Sequence, residues 1–198
     1  MPTFLHVGCG PLTKANTTPG FNTRSWKEVR LDIDPAVKPD IIGTMTDMSA
    51  VASNSMDAVF SSHNIEHLYP HEVPVALGEF LRVLKPDGFA VITCPDLRSV
   101  AALVAADRLT EAAYMSGMGP ISPLDMLYGH RGELQKGNHY MAHKCGFTEK
   151  VLRATLQMAG FKGIASGANG PAFALWALGT KAARPVPVLQ ALSKTYFG

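Results

Sequence analysis

The residues best suited to chemistry in this sequence stand at the ends of short apolar runs. The first run, Thr3–Val7, leads into His6-Val7-Gly8-Cys9-Gly10. Glycines just after a strand let the backbone approach a ligand closely and leave N–H groups facing it. About twenty residues later a second run ends in Leu31-Asp32-Ile33-Asp34-Pro35. A carboxylate at the tip of a second strand is placed to accept both hydroxyls of a ribose. A lone Gly-x-Gly is also a tight turn and a lone Asp also a cap, so Gly8, Gly10 and Asp32 gain their weight from occurring together. Asp47, in Gly43-Thr44-Met45-Thr46-Asp47-Met48, is placed to accept an adenine amino group, with Ile33 and Met48 packing on the ring. Ser62 ends a further run at what would be the same edge.

Proton chemistry falls to the histidines. His63 follows Ser62 directly, and an imidazole with a pKa of about 6.5 suits a base at neutral pH. His143 is the second candidate, just ahead of a helix pattern that begins at Thr148. His63, His67 and His71 recur every four residues, which on one helix would stack them on a face fit for zinc. Pro70 interrupts such a helix and no cysteine pair lies near, so no metal is expected.

These positions require a scaffold that gathers strand ends at one edge. Seven strand candidates punctuate the chain, at 3–7, 28–32, 40–42, 57–61, 88–94, 161–166 and 173–178. Several are apolar on both faces, as in strands covered by helices on both sides. Val73, Ala76, Leu77, Phe80, Leu81 and Leu84 form one helical stripe, which Lys85-Pro86-Asp87-Gly88 stops. A second helix starts with Thr148 as N-cap and Phe147 stapled on Leu152, and ends at Gly160. The alternation predicts an α/β, Rossmann-like three-layer fold with a mostly parallel sheet. A short link between the last two strands predicts that they pair antiparallel. Residues 12–26 read as a loop where a helix belongs, and 96–145 as an insertion after strand 5 with a helical piece near 99–109.

In this order, His6-Val7-Gly8-Cys9-Gly10, Leu31-Asp32-Ile33-Asp34, Asp57-Ala58-Val59-Phe60, Glu66-His67-Leu68 and Phe80-Leu81-Arg82-Val83-Leu84-Lys85-Pro86-Asp87-Gly88 resemble the class I S-adenosylmethionine-dependent methyltransferases. The resemblance covers roughly residues 3–178 and implies a seven-stranded sheet with its last strand antiparallel. The chain then reads as a domain at 1–180, whose insertion at 96–145 serves as a lid, followed by a tail at 181–198. It implies S-adenosylmethionine as cofactor, bound at Gly8 and Gly10, with ribose on Asp32 and adenine beside Asp47 and Met48. The sequence departs from the family where His6 replaces the usual acid and Leu12 the usual third glycine. An NAD(P)-binding oxidoreductase shares the glycine turn and ribose acid, but Gly8-Cys9-Gly10-Pro11-Leu12 lacks the Gly-x-Gly-x-x-Gly spacing. A non-catalytic S-adenosylmethionine-binding domain is the other alternative.

Composition narrows the partners. A net charge of +2 over 198 residues gives no basic field for nucleic acid. No apolar run is long enough for a membrane span, no basic stretch precedes the first strand, and the three cysteines read as free thiols. A cytoplasmic protein acting on a small molecule or glycan is expected, with a tail that packs on the domain or on a second copy in a homodimer.

Overall fold

The computed structural model describes residues 1–197. Its elements in chain order are β1 (Thr3–Val7), β2 (Lys27–Asp32), β3 (Ile41–Ile42), β4 (Met56–Ser62), α1 (Val73–Val83), β5 (Leu84–Pro95), α2 (Leu97–Ala105), β6 (Tyr114–Ser116), β7 (Gly119–Ile121), α3 (Pro123–Tyr128), α4 (Arg131–Gln135), α5 (Glu149–Ala159), β8 (Gly163–Asn169), β9 (Ala174–Thr180) and α6 (Val186–Tyr196). Seven strands form one sheet in the order β3-β2-β1-β4-β5-β9-β8. β1 pairs in parallel with β2 and β4, whereas β9 runs antiparallel to both β5 and β8. The last strand is therefore the reversed one, as expected. Because β1 lies at the centre and the order reverses beside it, the carboxyl ends of β1, β2 and β4 frame one crevice.

Alternation along the strands divides the interior in two. Leu5, Val7, Val59, Ala90 and Ile92 face the main core, where Leu77 and Phe80 of α1 and Leu152 and Leu156 of α5 cover them. Phe4, Ala58, Phe60, Phe89 and Val91 face the other way, toward Phe21, Trp26 and Leu189. That second face holds no helix between β1 and β2; residues 12–26 form a loop with a single short 3-10 turn at Lys14–Asn16, as expected. Two aromatic side chains of the loop close the gap instead. Phe21 stacks on Phe4 with centroids 4.6 Å apart, and Trp26 meets Phe4 edge-on.

The C-terminal segment completes this layer. Tyr196 of α6 lies 4.7 Å from Phe21 and 4.8 Å from Phe89, ring centre to ring centre. A Cβ on Gly20 would fall 2.5 Å from the Tyr196 ring, so loop and helix meet closely. The tail therefore packs on its own domain.

Two residues of the Phe80–Gly88 segment act as clamps. Arg82 donates to Met48 O at 2.7 Å and to Val51 O at 2.8 Å while paired with Glu79, fixing the loop after β3. Lys85 donates to Asp57 at 2.8 Å, and Asp57 also accepts the Thr3 N–H. α1 stops at Val83, and β5 starts at Leu84 with its register shifted against β4 between Met56 and Ala58, so Lys85-Pro86-Asp87-Gly88 is an irregularity inside a strand rather than a turn before one.

The insertion departs further from expectation. Its helix starts earlier, at Leu97, capped by Asp96, whose carboxylate accepts the Arg98 N–H and the Ser99 hydroxyl. A hairpin of β6 and β7 follows, which alternation over three residues was too short to reveal. Val100, Ile121 and Met126 make a small core of their own, with Tyr114 and Phe173 against it. Thr148 holds the N-cap position of α5 in extended backbone, but its side chain makes no capping bond. Phe147 and Leu152 are both buried in the main core.

Candidate functional site

Gly8 and Gly10 follow β1 with φ of +61° and +53°, in the left-handed region that favours glycine. The Gly10 N–H donates to Asp32 Oδ2 at 2.7 Å, and the Asp34 N–H donates to Oδ1 at 2.9 Å. The two sequence segments are thus joined through one carboxylate. Asp32 is 8% exposed, and each of its oxygens keeps a lone pair beyond these bonds. Arg30 holds the turn from outside, donating to Gly10 O at 2.7 Å and Leu12 O at 3.0 Å. Sequence reasoning gave Arg30 no role, since a cation in mid-strand carries no motif.

Asn64 was likewise missed. Its Nδ2 donates to Val7 O at 2.9 Å and Ser62 O at 3.0 Å, tying the end of β1 to the end of β4. Its side chain occupies the space that any Cβ on Gly8 would need.

Around the expected adenine position the residues divide. Ile33 is exposed at 40%, free to cover a ring. Asp47 is exposed too, and its carboxylate accepts the Ser49 N–H, which holds its pKa below the usual carboxylate range. Met48 is 0% exposed in the main core, and its N–H donates to Glu79 Oε2 at 2.7 Å. Ile33 and Asp47 therefore face solvent at this end of the crevice while the Met48 side chain does not. A shallow pocket of about 180 Å³ is lined by Leu31, Ile42, Gly43, Thr44 and Asp47 among others.

At the tip of β4, Ser62 Oγ lies 2.8 Å from Thr93 Oγ1 and His63 adopts φ +52°. A left-handed histidine is uncommon and turns the chain sharply out of the sheet. The His63 side chain is 46% exposed, and its Nδ1 lies 3.3 Å from Oε1 of Glu66, which is 1% exposed. Protein around His63 opposes its charge, but the Glu66 carboxylate outweighs this and raises its pKa. For Glu66, burial works to raise the pKa, but His63 with the neighbouring imidazoles outweighs this and lowers it, keeping the carboxylate ionised.

The insertion returns to this point. Lys144 and Cys145 donate their N–H groups to Glu66 O at 2.8 and 3.2 Å, which carries His143 against His67 with ring centres 4.9 Å apart. Burial lowers the His143 pKa. His71 instead stacks on Tyr69, so the three histidines spaced by four share no face. The short 3-10 turn at Ile65–His67 replaces the continuous helix it would need. His6, where the family's acid is usual, is buried against Glu28 at 2.8 Å; burial lowers its pKa although Glu28 opposes the shift.

Residues 5–92 match the sequence family described as "Methyltransferase domain". No curated protein sequence matches the chain. Among solved structures, it is similar to the 1,6-didemethyltoxoflavin-N1-methyltransferase of Burkholderia thailandensis, crystallised with 1,6-didemethyltoxoflavin and S-adenosylhomocysteine. The TM-score is 0.58 at 17% identity, covering 91% of this chain and 72% of that one. An S-adenosylmethionine-dependent methyltransferase from Archaeoglobus fulgidus gives 0.58 at 14% identity, over 91% and 86%. The PH0226 protein of Pyrococcus horikoshii OT3 gives 0.61 at 14%, over 90% and 81%.

Proposed function

We propose, from the match of residues 5–92 to a methyltransferase domain and from the sheet order, that this protein is a class I S-adenosylmethionine-dependent methyltransferase that binds its cofactor in the crevice at β1, β2 and β4 and methylates a small-molecule acceptor. The observation that carries the reading is the bond from the Gly10 N–H to Asp32, which joins the glycine turn to a carboxylate with lone pairs to spare. That pairing suits a ligand with a ribose beside a chain that needs close backbone approach. Pro11 and the loop after it offer no helix N-terminus for a pyrophosphate, which speaks against a dinucleotide.

The bound cofactor supplies a methyl group on a sulfonium, already activated toward displacement. The residues of the chain have the remaining tasks. Asp32 accepts the ribose hydroxyls, Ile33 covers the adenine and Asp47 receives its amino group. His63, half-exposed at the end of β4, takes the proton of an acceptor hydroxyl or amine. Glu66 behind it orients the ring and stabilises its protonated form. The insertion, with Tyr128 and Met118 exposed on it, closes over the acceptor and excludes water. A glycan acceptor would meet the same surface.

Titration calorimetry with S-adenosylhomocysteine and with NADH tests the cofactor: the first is expected to bind and the second not. Transfer of labelled methyl to pooled small hydroxyl and amine compounds, against pooled oligosaccharides, then tests the acceptor class. Binding of NADH in preference to S-adenosylhomocysteine would overturn the reading.

A further inference from the structure

Beneath His63 lies a group of which the proposed methyl transfer uses only the contact between Glu66 and His63. One oxygen of Glu66 and one ring nitrogen each of His67 and His143 lie within 4.8 Å of one another. His67 Nδ1 is 3.1 Å from Ala142 O, and His143 Nδ1 is 2.8 Å from Met126 O. A carbonyl oxygen only accepts, so Nδ1 carries the hydrogen in both rings and the lone pair of each neutral ring is on Nε2. Glu66 is fully buried, yet neither of its oxygens has a hydrogen-bond partner; the approach of His63 Nδ1 at 3.3 Å is an ion-pair contact only. A buried carboxylate without donors costs several kcal/mol unless something positive meets it. Two imidazoles, each with a free Nε2 lone pair, and a carboxylate without a hydrogen-bond donor thus stand together.

We infer that Glu66, His67 and His143 bind a divalent metal ion of the zinc class. Two imidazoles and one carboxylate are a ligand set that such ions take, with a further position left for water or a substrate atom. The carbonyls of Ala142 and Met126 supply the outer contacts that fix ring orientation and tautomer at histidine metal sites. Ligand atoms about 2.0–2.2 Å from a tetrahedral ion stand closer together than 4.8 Å, so binding draws the three side chains inward. Since His67 follows β4 and His143 comes from the insertion, the ion joins the two where the insertion docks on Glu66 O. This revises the expectation of no metal, which considered only histidines near in sequence. It does not depend on the chain being a methyltransferase.

The test uses untagged full-length protein, stripped with chelator and titrated with Co²⁺ and Zn²⁺. One equivalent of Co²⁺ is expected, with visible absorption of a low-coordinate site, and Zn²⁺ should displace it. His67→Ala and His143→Ala should each weaken binding by more than the roughly 10–100-fold that loss of an outer contact costs. His71→Ala, stacked on Tyr69 outside the group, should leave affinity unchanged. Glu66→Gln keeps the shape of the side chain, so it tests the carboxylate should the alanine variants fail to fold. No stoichiometric binding by the unaltered protein, or binding that survives Glu66→Gln and both histidine substitutions, overturns the inference. S-adenosylhomocysteine affinity measured on the same stripped protein separates failure here from failure of the proposed activity.

Discussion

Asn64 stands in the space above Gly8 and bonds the backbone at the ends of both β1 and β4, so the absence of a side chain at Gly8 is what lets the two strand ends meet. Gly10 shares the left-handed backbone but has open space where a Cβ would be. Gly10→Ala should therefore cost only the strain of that conformation, about 1–2 kcal/mol. Gly8→Ala adds overpacking worth about 1–3 kcal/mol. Chemical denaturation of the two variants compares them directly. Adding Asn64→Ala to Gly8→Ala should recover part of the loss, and strict additivity of the two changes would show that they do not meet.

Asp32→Ala should weaken S-adenosylhomocysteine binding by about 1.5–3 kcal/mol for each ribose bond lost. The same carboxylate holds the Gly10 and Asp34 N–H groups, so a smaller loss of stability should accompany it. Calorimetry and a melting curve on one sample read both. Unchanged affinity in a folded variant would remove the ribose assignment.

His63→Ala should slow methyl transfer roughly 10²–10⁴-fold, the usual worth of a positioned acid or base. Cofactor affinity should hold, because the ring stands beyond the residues assigned to ribose and adenine. A matched fall in turnover and cofactor affinity would make His63 part of the cofactor site instead.

Tyr196→Ala should destabilise the protein by about 2–3 kcal/mol, somewhat below the value for a fully buried aromatic. Its ring contacts Phe21, Phe89 and Trp26, which line the face without a helix between β1 and β2. Thermal unfolding of this variant, and of a chain ending at Ala182, checks whether α6 is part of the core. Two unchanged melting temperatures would show that it is not.

Asp57 gives a pH dependence. Burial works to raise its pKa, but the Lys85 ammonium and the Thr3 N–H outweigh this and lower it. A carboxyl with a depressed folded-state pKa contributes stability above its unfolded pKa, about 3.9, and loses it as pH falls through the folded value. Asp57→Asn should thus lose about 1–2 kcal/mol at neutral pH, discounted for partial exposure, and the gap to the parent should close in acid. Denaturation at pH 7 and again below pH 4 measures it; an equal gap at both would point to shape rather than charge.

The sequence by itself determined the sheet, its reversed last strand and the crevice at β1, β2 and β4. Strands covered on both faces are continuously apolar, and glycine and aspartate at their tips are local signals that survive any tertiary arrangement. It also marked residues 12–26 as irregular and Gly160 as the end of a helix, because backbone conformation at a glycine is a local matter. Tertiary structure alone decided which partners these residues have. Met48 looked like a ring-packing side chain and is sealed in the core, since nothing local says which way the loop after β3 turns. Arg82 and Lys85 sit in the most recognisable segment and serve as clamps across 31 and 28 residues of chain. His67 meets His143 rather than His63 or His71 because the insertion folds back onto Glu66 O, a contact spanning 78 residues from Glu66 to Lys144 (144 minus 66). Periodicity reports only on neighbours within a turn or two, and the convergence of Glu66, His67 and His143 is made by a contact that no such window contains.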